Sequence, residues 1–391
     1  MNWNNVIGQQ EVKTHLQDMV HHNRLSHALL FLGKEGSGAL PLAIEFAKYV
    51  VCQPKVAPIV EDLFGGMSAM SANEDVLHAA IQRAEQLIHP DLHFSFPVIP
   101  KKTGDKPISA DHISSFRAFV KLYPYGNAYD WLQSINAENK QGNITAEECN
   151  DISRKLSLKT YEAEYKVLVM WMPEYLGKEG NKLLKLIEEP PPNTLFIFVG
   201  ENEAQILPTI LSRCQLVKIP QLHTDEVEQA LIKRANVAPE TACQIAGICE
   251  GNYREALHLL QHSDEDWQEL LKNWLNFIVK RNLPQQIKWV DEMSKQGREK
   301  QKQFLRYFNH LLQQSVRIKV LGIDNVMLPE SEKDFAQRLN KIASVSQQEA
   351  IVEELDKASY YIERNANGKM LFQALSIKLF HIINNKVIVE M

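Results

Sequence analysis

Two short stretches carry residues of the types and spacing that handle phosphate. The first is Gly33-Lys34-Glu35-Gly36-Ser37-Gly38-Ala39-Leu40, between the apolar run His27 to Leu32 and the periodic run Leu42 to Val51. A glycine-rich turn between a strand and a helix is where a phosphate-binding loop belongs, because backbone donors and the helix N-terminus converge there. The full motif is G-x-x-x-x-G-K-[ST]. Gly33 and Gly38 have its spacing, but Ala39 stands where the lysine should be and Leu40 where the hydroxyl should be. The lysine neutralises phosphate charge and the hydroxyl holds Mg²⁺, and neither a methyl nor an isobutyl group does either. Lys34 sits at the wrong end of the loop to substitute. Backbone donors at Gly36 and Gly38 remain for weak anion binding.

The second stretch is Lys166 to Met170, a buried strand that an acidic pair should close if it held Mg²⁺ and water. Trp171 and Met172 occupy those places, with Pro173-Glu174 just beyond. Glu174 falls several Å further along, in a proline-bent segment. Two losses in one site predict that the chain does not hydrolyse ATP and has no working cofactor site.

A third candidate for chemistry lies in Asn181 to Cys214. Leu183, Leu184, Leu186 and Ile187 form one face of a short helix that Pro190 to Pro192 stop. Thr194 to Val199 then reads as a strand buried on both faces. Ile206 to Leu211 leads into Ser212-Arg213-Cys214. An arginine placed after a buried strand has two readings, a surface charge or a cation aimed at a neighbour's phosphates.

In this order, L-L-K-x-I-E-E-P-P, L-F-I-F-V and I-L-P-T-I-L-S-R-C resemble the central segment of the AAA+ clamp-loader subunits of bacterial DNA polymerase III. The resemblance covers nearly the whole chain. It implies an α/β AAA+ domain over residues 1–220, a small helical lid over 221–266 and an all-α helical collar over 267–391. It implies that Arg213 is a finger entering the ATP site of the adjacent subunit, with Gly33, Gly36, Gly38, Ala39 and Leu40 a degenerate phosphate loop and Trp171 and Met172 a degenerate metal-binding strand end. The implied role is a non-hydrolysing member of a cytoplasmic hetero-oligomer that loads the sliding clamp onto primed DNA, beside tau/gamma-type motor subunits and a delta subunit. The rivals are an ATP-hydrolysing motor of the same complex, against which Ala39, Leu40, Trp171 and Met172 speak, and an inactive AAA+ scaffold outside replication.

Other features complete the reading. In the family the segment from Cys52 to Asp91 often carries a four-cysteine zinc module, but here Cys52 is the only cysteine in it. His89, Asp91 and His93 alternate at strand spacing, which suits either metal ligands or a polar turn; no metal is expected. Residues 98–142 are an insertion relative to the family. Its Tyr123, Tyr125, Tyr129 and Trp131, beside Lys101, Lys102, Arg117 and Lys121, either stack on single-stranded nucleic acid or form a small satellite core. Arg254, in Gly251-Asn252-Tyr253-Arg254, matches the lid arginine that senses nucleotide; with no working site it is expected in a structural ion pair. From Trp267 onward the pattern is helical, punctuated at Asn282-Leu283-Pro284 and Leu328-Pro329-Glu330. Ile362 to Asn367 resembles the turn before the last collar helix.

Composition bounds these readings. A chain of 391 residues exceeds one ordinary core. A net charge of −5 and a pI near 6.2 disfavour a broad nucleic-acid-coating surface, though not a local basic patch. No run approaches a membrane span, the polar start MNWNNVIGQQ lacks the pattern of a signal peptide, and five scattered cysteines suit a reduced compartment.

Overall fold

The computed structural model describes residues 3, 5–53, 60–61, 67–68, 74–100, 105–137, 140, 142–261, 267–322, 330–364 and 366–385. Lys101, Lys102, Leu328, Pro329 and Asn365, invoked above, lie outside the described residues. The chain divides into two compact units, 1–258 and 259–391.

The first unit is built on five parallel strands: β1 (Ala28–Gly33), β2 (Leu92–Ser95), β3 (Lys166–Trp171), β4 (Thr194–Gly200) and β5 (Gln215–Ile219). Their order is β2-β3-β4-β1-β5. In register, Phe31 lies opposite Val199 of β4 and Val217 of β5. Successive strand residues point to opposite faces, so the apolar runs of β1, β3 and β4 feed two cores. Leu29, Phe31, Val167, Val169, Trp171, Ile197 and Val199 face one core, with Leu16, Leu42 and Phe46 from the helices Gln10–His21 and Ala39–Val51. Leu30, Leu168, Met170, Phe196 and Phe198 face the other, with Ile152 and Leu156 of helix Ala146–Ser157 and with Ile187 and Ile210. This is the α/β architecture expected from the sequence. Strand β5 was not expected. It is exposed at three of its five positions, so its apolar signal is weak.

The insertion is closed at its base by an isolated antiparallel bridge, with Val98 and Asn143 exchanging hydrogen bonds of 2.9 Å. Above the bridge lie helices Ile113–Leu122 and Ala128–Ser134. Phe116 stacks on Phe96 at 3.9 Å, and Trp131 meets both rings edge-on. These rings reach Trp171 at the end of β3, with Phe116 and Phe119 each 5.8 Å from it. The insertion is therefore part of the main core rather than a satellite of it. Trp131 and Tyr125 are buried, while Tyr123 is half-exposed.

After β5 come helices Thr224–Ala235, Pro239–Ile248 and Tyr253–Gln261. The second unit consists, among the described residues, of helices Trp267–Val279, Leu283–Lys295, Arg298–Leu321, Glu330–Ile342, Val345–Glu363 and Gly368–Asn385. Asn282 caps the second of these, and its side chain accepts from Gln285 N. Trp274 and Trp289 stack at 4.8 Å at the centre of its core, against Phe304 and Phe372. No described helix is long and apolar enough to cross a membrane.

Candidate nucleotide crevice and exposed arginine

The glycine turn is a tight connection from β1 into a helix. Gly36 and Gly38 have φ of 73° and 92°, in the region that side chains disfavour. Ser37 N donates to Lys34 O, and the helix begins directly at Ala39. The positions that should carry the lysine, the hydroxyl and the acidic pair are apolar. Ala39 and Leu40 are buried, and Trp171 and Met172 belong with them to the same apolar core. Lys34 is exposed, at the rim of the opening beside the turn. A Cβ on Gly38 would meet the Tyr125 ring at 3.0 Å. The opening bounded by the turn, Tyr125, Trp171 and Gly200 holds about 20 Å³, space for about one water.

Glu174, the displaced candidate acid, faces the exit of β4 instead. Its Oε1 accepts from Glu201 N at 2.6 Å and Asn202 N at 2.9 Å. Burial pushes its carboxyl above the usual range, although those donors oppose the shift.

Arg254 lies at the turn and is engaged by carboxylates. Its Nε and Nη2 donate to the two oxygens of Asp130 at 2.5 and 2.7 Å, and Nη1 donates to Glu35 at 3.0 Å. Burial alone would raise the Asp130 carboxyl, but hydrogen bonds from Arg254 and His258 outweigh it and hold the group well below the usual range. Sequence reasoning missed Glu35 and Asp130. They are far apart in the chain, and no local pattern marks a pair that only folding brings together.

Arg213 follows the four-residue helix Pro208–Leu211 and precedes β5. The run Ile206 to Leu211 that leads into it thus holds a short helix. Its Nε donates to Glu188 of the E-E-P-P stretch at 2.6 Å, Nη2 also contacts Glu188, and Nη1 donates to Thr209 O at 2.7 Å. Both side chains of the pair are substantially exposed, at 32% and 46%, so the pair is weak and replaceable.

Two of the three residues considered as ligands, Asp91 and His89, have other partners. Asp91 accepts from the backbone of Tyr161, Glu162 and Ala163 at 2.6 to 2.8 Å, and His89 Nε2 lies 3.1 Å from Glu162. Arg117, offered above for nucleic acid, donates Nε to Leu87 O.

A family profile described as "DNA polymerase III, delta subunit" matches residues 8–223. A Bacillus subtilis (strain 168) DNA polymerase III subunit delta' is 26% identical over 256 residues, covering 66% of this chain and 60% of the relative. Subunit tau of the same organism is 22% identical over 405 aligned positions, covering 96% of this chain and 60% of the relative. A Haemophilus influenzae subunit delta' is 28% identical over 173 residues, 44% of this chain and 50% of the relative. The chain thus spans between half and about 60% of the length of these relatives.

Proposed function

From the premise that the chain belongs to the DNA polymerase III delta-subunit family, we propose that it is a delta-prime-type, non-hydrolysing subunit of the clamp-loading complex. In this reading residues 1–220 are the AAA+ module, 221–266 the lid and 267–391 the collar. The partners are tau/gamma-type motor subunits, a delta subunit, the sliding clamp and primed DNA, in the cytoplasm. The observation that carries the proposal is the apolar nucleotide crevice: Ala39, Leu40, Trp171 and Met172 lie in a continuous core where a hydrolysing site needs a cation, a hydroxyl and carboxylates. The motor reading requires that chemistry and is disfavoured, although the tau match runs along more of the chain. Exposed apolar residues on the second unit, among them Val320, Leu321, Met370 and Ile377, suit a collar that packs on other subunits.

Arg213 then acts outside its own chain. A planar, permanently charged guanidinium suits the charge that develops on a transferred phosphoryl group, and such fingers contribute about 10³–10⁵ in rate elsewhere. Arg213 swaps Glu188 for the γ-phosphate of an adjacent subunit's ATP. The test is a reconstituted complex. Arg213→Ala is expected to assemble normally while clamp-stimulated ATPase and clamp loading fall, and Arg213→Lys to rescue little because it loses the planar fork. Unchanged loading with Arg213→Ala would sink the finger assignment.

A further inference from the structure

The side chain of Arg254 is 3% exposed, yet two carboxylates from different segments reach it. Asp130 comes from the insertion and grips it with both oxygens. Glu35 comes from the glycine turn, and its other oxygen accepts from Asn127 of the insertion at 3.0 Å. Asn252, two residues before Arg254, also donates to Glu35, at 3.2 Å. Tyr125 of the insertion covers Gly38, meets Tyr253 edge-on at 5.0 Å and accepts from Ile7 N at 2.7 Å. Turn, insertion and the start of helix Tyr253–Gln261 are thus knitted at one point.

The electrostatics of this point are those of an anion site. A buried guanidinium, two positive-φ glycines and the N-terminus of a 13-residue helix gather there, and each favours negative charge. The chain itself places two carboxylates beside them. We propose that Asp130 and Glu35 are tethered stand-ins for a phosphate anion, fastening the helices of residues 224–261 to the turn with no ligand. The insertion's role is to bring Asp130 in and, with Tyr125, to close the crevice over it. Asp130 is a positioning residue, acting through Arg254. The proposal rests on reading Gly33–Leu40 as a phosphate loop without its chemistry.

Hydrogen exchange of the full chain tests it. Asp130→Asn keeps the shape but removes the charge, and it should speed amide exchange in helices 224–235, 239–248 and 253–261 by about tenfold or more. Strands β1, β3 and β4 should keep their protection, and Tyr123→Ala, an exposed change on the same insertion, should leave every segment as it was. In Asp130→Ala, inorganic phosphate should restore protection of those helices where sodium chloride of equal ionic strength does not; Glu35→Gln takes its place if alanine prevents folding. Unchanged exchange in these helices, acceleration spread equally over the sheet, or equal effects of phosphate and chloride would overturn the proposal. The finger assignment stands or falls separately, since it is read from Arg213-dependent clamp loading and not from lid exchange.

Discussion

Replacing Trp131 by alanine separates the two roles that aromatic residues in the insertion can play. The indole is fully buried, its Nε1 donates to Pro97 O at 2.7 Å, and its ring lies 5.1 to 5.5 Å from Phe96, Phe116 and Phe119. Truncating such a residue costs about 3–5 kcal/mol. The Pro97 carbonyl left unpaired inside the core puts this case at the upper end, about 4–5 kcal/mol. For a unit of this size each kcal/mol moves the midpoint by about 2–4 °C, so the transition of residues 1–258 should fall by roughly 8–20 °C. Trp131→Phe, which keeps the ring contacts and loses the donor, should cost about 1–2 kcal/mol. Tyr123→Ala, on an exposed side chain, should stay within about 0.5 kcal/mol. The measurement is thermal melting by circular dichroism, paired with titration of a primed DNA template. A Trp131→Ala midpoint within about 3 °C of wild type, with template binding lost, would refute the core assignment and revive stacking on nucleic acid.

Two further outcomes follow from the same geometry. Isothermal titration of the isolated chain with Mg-ATP should give no turnover and at most weak affinity, because the crevice holds only about 20 Å³ and Ala39, Leu40, Trp171 and Met172 stand where the lysine, hydroxyl and carboxylates would be; micromolar binding with hydrolysis contradicts this. In the second unit, burial, with Arg317 adding to it, lowers the His310 pKa from 6.5 to about 4, so the folded state holds this ring neutral. Below pH 6.5 the unfolded chain takes up the proton first, and stability should decline as pH falls from about 6.5 towards 4. Urea melts across that window should flatten for His310→Gln, and an unchanged slope would show that the ring does not titrate as described.

Much of the architecture was legible because its signals are local. β1, β3 and β4 are unbroken apolar runs, and the helices of the second unit follow from periodicity and from proline punctuation such as Asn282-Leu283-Pro284. The apolar residues at the nucleotide positions were legible too, since Ala39, Leu40, Trp171 and Met172 stand at fixed offsets from Gly33 and from the strand start, and all four lie in one core. The misses share a cause. β5 is an edge strand whose outward residues Gln215, Leu216 and Lys218 dilute its pattern. The insertion's place in the main core depends on Phe116 and Phe119 reaching Trp171, and the grip of Asp130 and Glu35 on Arg254 joins residues more than a hundred positions apart. Such contacts are products of tertiary folding, and no window of sequence contains them.

The placement of β1 also bears on how the chain is made. The strand that emerges early in synthesis is bordered by β4 and β5, the last two strands of the sheet. Its five apolar residues, Ala28 to Leu32, cannot gain both neighbours until Ile219 has left the ribosome. At about 5–20 residues per second that wait lasts on the order of ten to forty seconds. Throughout it, a sticky parallel strand with two open edges must be shielded by the first helices or by chaperones. Sequence changes that lengthen the insertion prolong that exposure, and their first symptom should be poor yield of soluble nascent protein rather than a lower melting point.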